Sequence, residues 1–268
     1  MWKILRLIVL IYVLLCGLFY AYQGNLLFRP RALPANHVYA FPVKGGFTTA
    51  TIPYDQNTSI DVVQFRSDDT SAKPKGVVLF FHGNRNNIAH YSHYAPIFTR
   101  HGYEVWMPDY PGYGRSTGEI EDGMLQDLSI QLYQMARSRF APVQIVVYGK
   151  SLGSGIAAYL ASERDCRQLI LETPYYSLSS LAQHYAWFLP VPLLMRFTLN
   201  TGEYLTDVTA PVTAFVAGKD EVVPIANSMK LLGRLKPNDG FRVFEQEKHN
   251  GIPENRGYLL AMDSILKN

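Results

Sequence analysis

The first pattern in the chain is an apolar run that no charge interrupts from Leu7 to Tyr22, with Lys3 and Arg6 just ahead of it. Counted from Ile4, it holds one charge in about twenty residues, close to the length that crosses the hydrocarbon core of a bilayer. Its apolar residues lie all round a helical wheel, whereas a helix packed on a soluble core carries one apolar stripe. Trp2, Tyr20 and Tyr22 suit the two interfaces, and Lys3 and Arg6 can reach the head groups. The pattern predicts a single-pass membrane anchor over residues 1–28. Two other readings stand beside it. One is a cleaved signal, which finds no small-x-small site near Phe19-Tyr20-Ala21; the other is a buried core helix. Lys3, Arg6 and the free amine, set against Arg29 and Arg31, place the rest of the chain on the outer side by the positive-inside bias.

Beyond the run the period changes. Pro30 and Pro34 deny residues 29–46 a continuous helix, so this stretch reads as a linker, and removal of residues 1–28 is expected to leave a folded domain. Phe47 to Pro53 and Ser59 to Phe65 are rich in Thr, Ile and Val with partial alternation, and predict a strand pair around a turn at Tyr54 to Thr58. From Gly76, short β-branched runs alternate with segments of helical length. The runs are Val77–Phe81, Tyr103–Met107, Val143–Tyr148, Gln168–Leu171, Val212–Val216 and Phe241–Phe244; the helix candidates lie near Ala89–Arg100, Glu121–Arg139, Ser154–Glu163 and Ile225–Arg234. Such alternation predicts an α/β domain over residues 47–268: a mostly parallel sheet with helices on both faces.

Composition narrows the function classes. An apolar fraction of 48% is globular, and a net charge of +3 without a basic stripe gives no reason for a nucleic-acid partner. The two cysteines, Cys16 and Cys166, have no metal-ligand spacing around them, and no phosphate-cradling loop or nicotinamide fingerprint occurs. Neither a metal nor a cofactor is implied.

The chemistry centres on Gly149-Lys150-Ser151-Leu152-Gly153, which follows a strand and precedes a helix. In that setting the spacing makes a tight strand-to-helix reversal that lifts the serine Oγ above the sheet edge, and the flanking glycines spare the turn two Cβ atoms. A serine hydroxyl needs a base. Of seven histidines, His249 alone follows the last predicted strand, in the order serine, acid, histidine. Asp220, after the Val212–Val216 run, is the favoured acid, with Glu172 as second candidate. The HG-type turn Phe80-Phe81-His82-Gly83-Asn84 closes an earlier strand, so the backbone N–H groups of Asn84 and Leu152 are the expected oxyanion donors and His82 has a structural role.

The segments FFHGNRNN, DYPGYGRSTG, YGKSLG, LETPYYSL, AGKDEVVP and EKHN follow one another in an order that resembles the α/β-hydrolases, and most of all the branch holding bud-emergence-type hydrolases and protein depalmitoylases. The resemblance implies the α/β-hydrolase fold, Ser151, Asp220 and His249 as a triad, and a small helical cap at about 174–206. Arg85 stands where relatives more often carry a small residue, and could narrow or charge the pocket mouth. The cap segment holds Tyr175, Trp187 and Phe188 among many apolar side chains, which suit an acyl chain or lipid-like substrate as well as plain core packing. The expected activity is hydrolysis of acyl esters or thioesters through an acyl-serine. An aminopeptidase or amidase on the same fold, and a catalytically silent membrane-tethered binding protein, are the alternatives.

Overall fold

A computed structural model describes residues 1–267. The apolar run forms one helix, α1 (Trp2–Leu27), with its side chains outward over nearly its full length. It leads into a two-residue strand, β1 (Arg29–Pro30). The strand pair follows as β2 (Phe47–Pro53) and β3 (Ser59–Phe65), antiparallel as their alternation predicts. Then come β4 (Gly76–Phe81), a short β5 (Arg85–Asn86), helices α2 (Ile88–Tyr91) and α3 (Ala95–Thr99), β6 (Tyr103–Pro108) and α4 (Met124–Arg137). β7 (Ile145–Lys150) passes through the Ser151 turn into α5 (Leu152–Glu163), and β8 (Gln168–Glu172) ends at the cap. The cap is three short helices, α6 (Leu178–Tyr185), α7 (Val191–Leu194) and α8 (Thr201–Tyr204). β9 (Val212–Ala217), α9 (Ile225–Ser228), β10 (Gly240–Phe244) and α10 (Arg256–Lys267) complete the chain.

Eight strands form one sheet in the order β10-β9-β8-β7-β4-β6-β3-β2, and only β3 runs against the rest, antiparallel to both of its neighbours, β6 and β2. The period of two decides what each face buries. Val77, Leu79 and Phe81 of β4, with Ile145 and Val147 of β7, pack against Leu128 and Leu132 of α4 and Ile156 and Leu160 of α5. The intervening Val78, Phe80, Val146 and Tyr148 pack on the opposite side against Phe98 of α3 and Tyr258 and Met262 of α10. Both faces are covered, which is why the central strands read as continuous apolar runs. β7 begins two residues later than its β-branched run, because Pro142 opens a 3-10 turn over Pro142–Gln144.

Residues 29–46 are built into the domain. β1 pairs in parallel with β5, Ala32 bridges Gly114, and Phe28 and Tyr39 are buried. The end of α1 is docked too. Gln23 is fully buried, donates from Nε2 to the Leu194 carbonyl at 3.0 Å and accepts the Arg196 amide on Oε1 at 2.7 Å. Phe28 meets Phe197 edge-on at 4.9 Å. The physical reason is that prolines forbid a helix but leave extended backbone free to pair.

Candidate active site

The sequence dictates a strained turn at Ser151 and the structure holds one. Ser151 has φ 51° and ψ −117°, a region that side-chain-bearing residues avoid, and its amide donates to the Glu172 carbonyl at 2.9 Å. The flanking glycines have steric reasons. A Cβ on Gly153 would collide with the Phe81 carbonyl, and one on Gly149 with the Gly153 carbonyl. Any side chain at either position would push β7, α5 and the end of β4 apart.

Two peptide planes face the turn, and each is fixed through its carbonyl. The Ser151 carbonyl accepts from the Ser154 amide at 2.8 Å. The Gly83 carbonyl accepts from His82 Nδ1 at 2.7 Å. Because the peptide is planar and trans, pinning each oxygen aims the N–H on the other side of the bond, those of Leu152 and Asn84. Leu152 also opens α5, where helix amides lack an intrahelical acceptor and the helix end is partly positive. His82 is buried, lies at 4.1 Å on the Tyr110 ring, and turns Nε2 to Asp109 Oδ1 at 3.3 Å.

The Asp109–Gly118 motif scaffolds this turn. Tyr110 donates to the His82 carbonyl and Tyr113 to the Asn84 carbonyl, both at 2.7 Å. Asp109 accepts the Ile88 amide at 2.8 Å, and burial pushes its carboxyl above the usual carboxylate range. Gly114, at φ 52°, is needed there, since a Cβ would strike Asp109 Oδ2. The anchor end joins in: Asn84 Nδ2 donates to the Leu27 carbonyl at 3.0 Å, and the Arg29 amide donates to the Asn84 carbonyl at 2.9 Å.

Asp220 and His249 meet. His249 Nδ1 lies 2.9 and 2.8 Å from the two Asp220 carboxylate oxygens, and Asp220 Oδ1 also accepts the Val222 and Val223 amides at 2.8 and 2.7 Å. The carboxylate is thus anchored by its own loop before it meets the ring. Glu172, the second candidate acid, is engaged elsewhere. Its carboxylate accepts from Lys150 Nζ at 2.6 Å, from Tyr94 at 2.9 Å and from Tyr148. Lys150 also donates to the His249 carbonyl at 3.2 Å, which ties the histidine loop to the residue preceding Ser151. The sequence gives little signal for this buried pair, since a lysine inside the motif reads as an exposed charge.

Removing one partner of a buried ion pair leaves the other charge uncompensated, at a cost of about 3–5 kcal/mol. Lys150→Met is therefore expected to lower stability by about that amount, read by thermal unfolding of the full chain in detergent. A loss below about 1 kcal/mol would show that Glu172 is satisfied by the tyrosines alone.

A cavity of about 510 Å³ opens over the turn, lined by Ser151 and Leu152, by Tyr175, Leu178 and Leu181 from the cap side, and by Asn84 and Arg85. Of the candidate substrate contacts, Arg85 and Tyr175 border this cavity. Trp187 and Phe188 do not border it, and they are 78% and 48% exposed. Helix α6 ends just before them, because Ala186 leaves the helical region at φ −114° and ψ 49°. The other wall is Phe19, Gln23, Leu26 and Leu27 of α1, which carry no signal for it in the sequence. Glu221 also reaches the cavity, and its Oε2 accepts the His249 amide at 3.4 Å. Among the described residues no group of three His, Cys, Asp or Glu side chains is placed to hold a metal ion.

Comparison with known proteins gives this geometry a family. The family model described as serine aminopeptidase, S33, matches residues 72–203. The uncharacterized membrane protein YNL320W of Saccharomyces cerevisiae is 31% identical over 258 residues, covering 89% of this chain and 87% of that one. Protein bem46 of Schizosaccharomyces pombe is 25% identical over 272 residues, 93% of this chain and 87% of its own. Mouse lysophosphatidylserine lipase ABHD12 is 26% identical over 200 residues, and the match spans 66% of this chain and 50% of that protein. Among solved structures, an esterase of Pyrococcus furiosus superposes with a TM-score of 0.67 at 19% identity, over 90% of this chain and 97% of its own, which shows a common fold. The chain belongs to the α/β-hydrolase family, in the branch of bem46 and ABHD12.

Proposed function

We propose that this protein is a membrane-anchored serine hydrolase that cleaves acyl esters or thioesters through an acyl-serine intermediate. The observation that carries the reading is the strained Ser151 on the wall of an apolar cavity, with His249 held on Asp220 and its loop tied to Lys150. In the neutral ring the Nδ1–H donates to Asp220, so Nε2 is the basic nitrogen. Nε2 takes the Ser151 proton as Oγ attacks the acyl carbon. The oxyanion that forms is met by the Asn84 and Leu152 N–H groups. Collapse expels the alcohol or thiol, which leaves with the proton from Nε2. Water then enters by the same route in reverse, giving the free acid and restoring the serine.

Leu178, Leu181 and Val222 give the cavity an apolar character that suits an acyl chain. The lipase name of ABHD12 agrees with a lipid-like substrate. The charges flanking α1 favour a catalytic domain on the outer side of the membrane. An aminopeptidase reading draws on the family description and on Glu221, a carboxylate at the cavity that could hold a substrate amine.

The full chain in detergent is to be tested on p-nitrophenyl esters of graded length, on matching thioesters, and on amino-acid p-nitroanilides. For esters, kcat/KM is expected to rise by roughly fourfold for each CH₂ buried, about 0.8 kcal/mol apiece, until the cavity is full. The anilides are expected to react at least a hundredfold more slowly. A preference for anilides would overturn the ester reading and favour the aminopeptidase.

A further inference from the structure

One helix in this chain does two things that a simple tether does not. It buries a polar residue near its C-terminal end, and it lines the cavity over the nucleophile. α1 has 26 residues, so it is about 39 Å long at about 1.5 Å per residue. A hydrocarbon core of about 30 Å takes about twenty of them. With Lys3 and Arg6 in one head-group layer, the stretch from Gln23 to Leu27 falls in the other. Phe19, Gln23, Leu26 and Leu27, spaced by four, three and one, share the helix face that borders the cavity.

Gln23 is the only fully buried side chain of α1 among the described residues. Its amide meets the cap segment twice, at the Leu194 carbonyl and the Arg196 amide, and so ties the helix to the cap. The cap turns Trp187, Phe188 and Leu193 outward, with Leu193 85% exposed. An exposed apolar collar is costly in water, but beside a membrane-spanning helix it lies at the level of the lipid. The cavity therefore opens where the ester bonds of bilayer lipids lie, between the hydrocarbon and the head groups.

We propose that α1 is the acyl-side wall of the active site, and that the substrate is an ester resident in the same bilayer, whose chain enters the cavity along Phe19, Leu26 and Leu27. The collar seats the cap in that leaflet. The anchor then sets chain-length specificity as well as location. This rests on the acyl-ester reading given above.

The test uses the full chain reconstituted in vesicles of diether phosphatidylcholine, which has no ester for the enzyme to cut. Umbelliferyl butyrate and umbelliferyl myristate are the substrates, with fluorophosphonate labelling of Ser151 as the check on folding. Leu26→Trp, and the smaller step Leu26→Phe, fill the cavity from the helix side. Ala21→Trp places the same bulk on the opposite face of α1, away from the cavity. The expected result is a fall of at least tenfold in the myristate-to-butyrate ratio of kcat/KM for Leu26→Trp, a smaller fall for Leu26→Phe, and no change of the ratio for Ala21→Trp. An unchanged ratio in both Leu26 variants, with labelling intact, overturns the proposal and leaves the ester reading standing. A wild type that hydrolyses neither ester and takes no label overturns the ester reading itself.

Discussion

Ser151→Ala is expected to lower kcat for ester hydrolysis by about four orders of magnitude or more, with the melting temperature of the full chain unchanged. The size follows from the chemistry: without Oγ no acyl-enzyme forms, and only the oxyanion donors and binding remain to speed attack by water. The intact fold follows from the structure. The bonds that hold the turn, Ser151 amide to Glu172 carbonyl and Ser154 amide to Ser151 carbonyl, belong to the backbone and survive the change. The strained φ of 51° is borne by alanine as it is by serine, so the substitution adds no new penalty. Retention of more than a tenth of the wild-type rate would remove Ser151 from the mechanism.

Asp220→Asn is expected to cost about 10⁴-fold in kcat with little loss of stability. Asp220 does two jobs that asparagine separates. Its Oδ1 accepts the Val222 and Val223 amides, and an amide oxygen can keep both bonds. Both oxygens reach His249 Nδ1, Oδ1 at 2.9 Å and Oδ2 at 2.8 Å, and Oδ2 is the one that the amide nitrogen would replace. An amide nitrogen placed there faces a donor with a donor, so the ring takes the opposite tautomer and carries its proton on Nε2. A histidine in that state cannot accept the serine proton. Kinetics and thermal unfolding on the same preparation check both halves. A loss below tenfold would mean that another carboxylate supports the ring. Glu172 is poorly placed for that, with its oxygens already taken by Lys150, Tyr94 and Tyr148.

The parts of this molecule legible in its sequence are those whose signal is local. β2 and β3 are found to the residue, because each alternates within seven positions and a polar turn separates them. The reversal around Ser151 is legible because strand, glycines and helix adjoin. Helix α10 carries its signal too: Tyr258, Ala261, Met262 and Leu266 share one buried face, and Asn255 accepts the Gly257 amide at its start. The strand–helix alternation that organises the chain does not single it out.

What was not legible depends on contacts between distant segments. β1 and β5 are two residues each, and nothing in Arg29-Pro30 names Arg85-Asn86 as a partner. Gln23 reads as the polar end of an anchor, yet its burial is decided by a cap segment 171 residues away. Trp187 and Phe188 show the limit of hydropathy as a guide. Both are large and apolar, yet both stand exposed, because hydropathy ranks a residue's preference for burial and does not say which neighbours the fold brings over it.

Every step of the proposed mechanism depends on Ser151 being the nucleophile of a working hydrolase. Its most direct test is to treat the folded full chain with a fluorophosphonate and map the adduct by peptide mass spectrometry. The expected result is a single adduct on the peptide that contains Ser151, slowed by a competing long-chain ester and absent from Ser151→Ala. A folded wild type that takes no label, or a Ser151→Ala variant labelled as fast as wild type, would contradict it.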